Sequence, residues 1–341
     1  LTRKVGPLLA LAALCACSPG YVVRSATGHA GLLWRCRSIE KTVADPSTPP
    51  ELKRKLRLAL EVRRFAFQRL YLTRSHVYET WTPVPGPALT WLVSASDRTR
   101  LEPHLFHFFL AGNFPYKGHF RKDLAKAEAS ELEARGFDAT VVGASAYRTP
   151  LWIADPLPET LLRESDGSLA ETLIHELTHG TVYFRDRTDF DEAVAVWVGA
   201  RGAELFLSER YGSDSPEMKE WNDDKELSRT YDAFYAELRA RLQAVYDAPG
   251  SDADRLERRK AEFAWGHAEA KRRGLFVPDR LNNAVVLAHS LYAPDLKPFD
   301  ALYVAQGRDW AKTIAALKAL DGRDPFGALN RAVSPPAAPA R

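Results

Sequence analysis

His175 and His179 stand four residues apart, with Glu176 beside the first, in the stretch Ile174-His175-Glu176-Leu177-Thr178-His179-Gly180. On an α-helix, positions four apart lie one above the other on the same face. The two imidazoles can therefore aim at one point, which a tetrahedral Zn²⁺ requires of its first two ligands. Glu176 is displaced around the helix, where it reaches a water on the metal instead of the metal itself. Leu173, Ile174, Leu177, Val182 and Tyr183 predict that this helix, over 171–184, is buried on its other side. With nine His in 341 residues the five-residue pattern arises by chance with a probability of about 0.02, which favours a metal site over two histidines satisfied in the core.

A catalytic zinc needs a third protein ligand and an open fourth position. The route through a third His six residues after the second is closed, because Arg185 stands there and Val182 occupies the place of the accompanying Gly. Downstream, the run Asp186 to Ala195 predicts a turn followed by a new helix, with Thr188 as its cap and Asp191 three residues on. Glu192 then falls in the first turn, and Val196, Gly199 and Ala203 continue its face. The small residues at 199 and 203 predict close approach to the metal helix. Glu192 is the expected third ligand, with Asp186, Asp189 and Asp191 as alternatives.

Other blocks follow the same order as a known pattern. They are Tyr21, Pro115-Tyr116-Lys117-Gly118-His119-Phe120, Ala146-Tyr147-Arg148-Thr149, the metal motif, Phe190-Asp191-Glu192 and Leu281-Asn282-Asn283-Ala284. Together they resemble the predicted aminopeptidases of bacterial lipoprotein type, over most of the mature chain. Lys117, His119, Arg148 and Asp191 depart from the residues usual in that pattern (Arg, Tyr, Ser and Asn), while the metal ligands are intact. The resemblance implies a zincin-like, gluzincin-like peptidase.

The N-terminus carries Arg3 and Lys4, an apolar run from Gly6 to Leu14, and Leu14-Cys15-Ala16-Cys17-Ser18. This reads as a lipoprotein signal peptide over 1–16, too short to span a bilayer as a mature helix, with Cys17 as the lipidated first residue. Ser18 after it directs the expectation to the outer membrane, with the protein facing the periplasm. Cys15 leaves with the signal and Cys17 carries lipid, so Cys36 alone remains and no disulfide framework or Cys-based metal site is expected. Loss of Arg3 and Lys4 lowers the formal charge from +3 to +1, which offers no basis for a nucleic-acid partner.

The elements that must position these groups are mostly helical. Helices are predicted over 20–36, from Glu51 to about Leu72, over 120–136, and beyond Glu209 over 215–246, 252–273, 280–292 and 308–320, punctuated by Pro278, Pro294, Pro298 and Pro325. The many Lys and Arg of the second helix read as a solvated face. Strands are predicted at 90–95, 105–110 and 136–146. In zincin-like peptidases an edge strand precedes the metal helix and pairs with peptide substrate, and the strand ending at Ala146-Tyr147 suits that role by its place in the chain. The expected fold is α+β and predominantly α, with a small mixed sheet beside the metal helix and a helical C-terminal part. One domain over 17–332 is expected, with possible lobes at about 17–210 and 211–332, followed by a disordered tail over 333–341.

Zinc held by His175, His179 and Glu192 would activate a water, with Glu176 as its general base. Tyr147 is the first candidate donor to the oxyanion, with His119, His267 and His289 behind it. Tyr183 reads as packing and Glu171 as either a partner to a ligand or a surface acid. The expectation is a zinc-dependent peptidase acting on peptides and anchored to the envelope through Cys17. The alternative is a catalytically silent zinc-containing lipoprotein with an assembly or binding role.

Overall fold

The computed structural model describes residues 19–108, 112–145, 155–290 and 295–333. The expected signal segment, Cys17, Tyr147 and residues 334–341 of the tail lie outside these residues. In chain order the elements are α1 (Pro19–Trp34), β1 (Arg37–Ser38), α2 (Ile39–Ala44), α3 (Pro50–Gln68), β2 (Thr80–Thr82), β3 (Thr90–Ser96), β4 (Phe106–Phe108), β5 (Gly112–Phe114), β6 (Tyr116–His119), α4 (Lys122–Ala134), β7 (Asp138–Ala144) and β8 (Leu157–Pro158). A 3-10 turn (Leu161–Arg163) leads into α5 (Asp166–His179), α6 (Thr188–Tyr211), α7 (Pro216–Asp247), α8 (Asp252–Arg272), α9 (Asn283–Ser290), α10 (Lys297–Ala305), α11 (Trp310–Lys318) and α12 (Pro325–Val333). The fold is predominantly helical with small sheets. No described helix is both long and apolar enough to cross a membrane.

The chain forms two compact units, each drawn from three separated segments. The first takes residues within 1–35, 83–147 and 225–293. Its sheet runs β6-β3-β7, antiparallel throughout, with β7 on an edge; Val93 pairs with Lys117 on one side and Val141 on the other. Helix α4 packs Ala125 and Leu132 onto Val93, Ala95, Phe106 and Ala139 of the strands. A second core joins Phe234, Leu238, Leu242, Ala270, Leu281 and Val286 of the helical part. Asp138, 2% exposed, ties these regions together through Arg259 Nη1 at 2.7 Å and the backbone N–H of Asn283 at 3.0 Å. The Leu281–Ala284 block is thus built into this core: Asn282 Nδ2 donates to Ala139 O and Asn283 Nδ2 to Asp97 O, each at 2.9 Å.

The second unit takes residues within 36–82, 148–224 and 294–341. It contains the mixed sheet β1-β2-β8 and helices α3, α5, α6 and α10–α12. Helix α3 starts at Pro50, whose fixed φ suits a first helical position. It buries Leu56, Ala59, Val62 and Ala66 at helical spacing. The C-terminal helices close around one aromatic cluster. Trp197 stacks on Phe299 at 6.1 Å and meets Trp310 at 5.5 Å, and Phe190 meets Phe326 edge-on at 4.9 Å. The indole of Trp197 donates to Asp300 Oδ1 at 2.9 Å.

Several sequence expectations are corrected. The metal helix spans Asp166–His179, not 171–184, because Ser165 caps its start and Gly180 ends it. Thr188 is the first residue of α6 instead of its cap, and Arg187 in the cap position makes no capping hydrogen bond with its side chain. Pro298 and Pro325, read as punctuation, sit in the opening turns of helices, which proline favours because the N–H it lacks has no helical partner there.

Candidate metal centre

Ser165 fixes the start of α5: its hydroxyl accepts from Ser168 N at 3.2 Å, satisfying one of the helix's unpaired donors. Leu169, Ala170, Leu173, Ile174 and Leu177 form the buried face. Full burial of each large aliphatic side chain contributes about 1.5–3 kcal/mol. The opposite face presents Glu171, His175, Glu176 and His179, all partly buried. Thr178 sits in the core without an unpaired hydroxyl, since Oγ1 donates to Ile174 O at 2.8 Å.

Helix α6 lies against α5 through its small residues, as their spacing predicted. A Cβ on Gly199 would fall 3.1 Å from Glu171 O and 3.2 Å from His175 Cβ, and one on Gly202 would fall 3.1 Å from Ile174 Cδ1. This closeness brings Glu192 to the two histidines. His175 Nε2 and His179 Nε2 are 3.3 Å apart, and Glu192 oxygens lie 3.4 Å and 3.6 Å from them respectively. For a tetrahedral Zn²⁺ with bonds of 2.0–2.1 Å the ligand-to-ligand edge is about 3.3–3.4 Å. One oxygen of Glu192 faces each histidine at near that spacing, and single donor atoms of the three residues all lie within 4.8 Å of one another, close enough to share one ion. Two imidazoles and a carboxylate meet here, a donor set suited to a cation. Glu176, about 100° around the helix from His175 and about 60° from His179, is the neighbouring acid on this face.

The alternatives to Glu192 are placed differently. Asp186 and Asp189 are exposed. Asp191 is buried (4% exposed) and accepts from Phe184 N at 2.9 Å, pinning the loop between the helices. Burial raises its pKa to about 6 against that hydrogen bond, with help from the charges of Glu192 and Asp189. Tyr183 is 63% exposed. His119, His267 and His289 belong to the other unit. There His119 Nε2 pairs with Glu128 at 2.6 Å and His289 stacks on Tyr235 at 4.0 Å.

Sequence reasoning missed two supports of this helix. Asp166, 6% exposed, accepts from Arg54 through both of its oxygens (2.7 and 3.0 Å), from Lys55 Nζ at 2.7 Å and from Tyr211 OH at 2.7 Å. It fastens the first residue of α5 to α3 and to the end of α6. Trp221, 6% exposed, donates from Nε1 to Glu171 Oε2 at 3.3 Å and packs on Gly167, where a Cβ would lie 2.3 Å from the indole. Both partnerships link residues 45 or more positions apart, so no local pattern announces them. The capping pair Ser165 and Ser168 was the one local signal available for the true helix start.

A family model described as "Putative aminopeptidase" matches residues 20–326 of the chain. No curated protein and no solved structure matches it.

Proposed function

The chain belongs to that family, which supports peptidase activity at the family level, and from this premise we propose that it is a zinc-dependent peptidase, an aminopeptidase of the bacterial envelope. The observation that supports the zinc assignment is the meeting of His175 Nε2 and His179 Nε2, 3.3 Å apart, with the two Glu192 oxygens, one 3.4 Å from the first histidine and the other 3.6 Å from the second. Zinc bound there supplies Lewis acidity, lowering the pKa of a coordinated water and polarising the peptide carbonyl. The chain's own groups do the rest. His175, His179 and Glu192 hold the ion from rigid helices. Glu176 takes the proton from the attacking water and returns it to the leaving amine. Tyr147, outside the described residues, is the proposed hydroxyl donor to the developing oxyanion.

The test is metal content. The mature chain, purified without chelators, is expected to carry about one zinc, and Glu192→Ala to lose most of it at micromolar zinc, as a three-ligand site requires. Zinc retained in the variant would remove Glu192 from the ligand set.

The envelope reading rests on Leu14-Cys15-Ala16-Cys17 after a short apolar run. Cys17 is the proposed lipid attachment, leaving the protein facing the periplasm from the outer membrane. Labelled palmitate fed to an expressing bacterium is expected to enter the parent and to be absent from Cys17→Ser; equal labelling of both would refute the anchor.

A further inference from the structure

Resting on the envelope reading, we propose that the outward face of α1 lies on an anionic bilayer, with Trp34 in the headgroup layer and Arg24 and Arg35 on lipid phosphates. One side of this helix is committed to its own unit. Tyr21 OH donates to Gly118 O at 3.1 Å, a Cβ on Gly28 would fall 2.2 Å from the Phe120 ring, and Leu32 is buried with Val84 and Leu89. At about 100° per residue, Trp34 points about 120–160° away from these three positions. It is 92% exposed, an indole left in water at the end of a helix that has a core to pack against. Arg24 and Arg35 are exposed as well, and neither has an acidic partner among the described residues. The first acidic residue of the sequence is Glu40, so no acid on α1 or before it offsets their charge.

The composition of this face suits a bilayer better than a protein partner. Its other exposed positions are Ala26, Thr27 and Ala30, too small to build the packed ring that shelters a protein hot spot. A lipid surface needs no such relief, because its headgroup layer satisfies both the apolar ring and the N–H of an indole. The unpaired arginines match the negative potential of an anionic surface, each worth about five-fold in partition. Distance agrees. Pro19 opens α1 two residues after Cys17, a span of about 7 Å at most when extended. A helix of 16 residues is about 24 Å long, so α1 laid flat brings Trp34 to the same surface as the lipid. The contact turns a single point of attachment into a line, which fixes how the unit carrying α1 faces the membrane.

The test tethers the mature chain to vesicles through an N-terminal hexahistidine tag and a nickel-chelating lipid, in place of the lipid on Cys17. The vesicles are phosphatidylcholine with or without phosphatidylglycerol, with acyl chains brominated near the headgroup, beside unbrominated controls. The chain has eight Trp, so full quenching of one removes about one-eighth of the indole fluorescence. The parent is expected to lose about that fraction on brominated anionic vesicles. Trp34→Ser is expected to lose almost none, with an unchanged thermal midpoint, since the exposed side chain belongs to no core. Arg24→Gln combined with Arg35→Gln, or omission of phosphatidylglycerol, is expected to reduce the parent's loss at least several-fold. Equal quenching of the parent and Trp34→Ser would overturn the proposal, as would quenching indifferent to both changes of charge. Self-association in sedimentation that Trp34→Ser abolishes, without quenching, would assign the face to a second copy instead. Quenching of the tethered chain when labelled palmitate fails to enter the parent would refute the anchor and leave the bilayer face standing.

Discussion

Glu176→Gln is expected to lower kcat for peptide hydrolysis by about 10²- to 10⁴-fold, the usual contribution of a positioned general base, while zinc content and thermal midpoint stay at parental values. Gln has nearly the shape of Glu and can hold the water by a hydrogen bond, but it cannot take the proton. The expectation of unchanged zinc follows from the helix: Glu176 is rotated away from the direction shared by His175 and His179, and the third donor at the cluster is Glu192. Steady-state assays on a free-amine dipeptide, run beside metal analysis, separate the outcomes. A variant as fast as its parent would leave the site binding metal without using this acid, which is the silent-lipoprotein alternative.

Asp166→Ala is expected to destabilise the unit that carries the metal helix by about 3–5 kcal/mol, the cost typical of removing one partner from a buried ion pair. Lys55 has only 8% of its side chain exposed, and the deletion leaves it charged and facing the vacated position with Glu164 O as its remaining acceptor. Arg54 is half-exposed and rehydrates, so most of the loss comes from Lys55 and Tyr211. In thermal unfolding this is a shift on the order of 10 °C. Asp166→Leu combined with Lys55→Met is expected to recover part of it, because an apolar pair carries no desolvation cost. A shift of 2 °C or less for Asp166→Ala would show the clamp to be dispensable.

The same carboxylate sets a pH dependence. Burial alone would raise its pKa, but the hydrogen bonds from Arg54, Lys55 and Tyr211 prevail and hold it at about 2. The folded value lies below the ordinary aspartate value of about 4, so the contribution, on the order of 2 kcal/mol, is complete above pH 4 and is lost as pH falls towards 2. Urea midpoints of Asp166→Asn and the parent are therefore expected to converge across that window.

The meeting of His175, His179 and Glu192 was legible because it follows from local spacing. Two histidines and an acid on one helix, and a fourth residue just past the opening turn of the next, are set by spacing that a single helical period decodes. Gly199 was legible too, since small residues at helical spacing mark a close crossing, while the contact at Gly202 was not singled out. What escaped was whatever depends on contacts across the chain. The true start of α5 is secured by Asp166, whose cationic partners stand more than a hundred residues earlier. The role of Asp191 was misplaced among possible ligands because a carboxylate beside Glu192 gives no sign in sequence that it is turned to Phe184 N. Helix periodicity likewise gives no hint that each unit is stitched from three separated segments.

The aromatic cluster around α6 sets an order of events during biosynthesis. Phe190 and Trp197 flank the turn of helix that carries Glu192, and their partners Phe299, Trp310 and Phe326 come from residues 295–333. A nascent chain that has released His175 and Glu192 but not this last segment has an α6 whose aromatic side is still wet. The ribosome delivers the histidines well before it delivers the surface that steadies the third donor. A truncated or stalled product therefore leaves the ribosome without the packing that steadies the helix carrying Glu192.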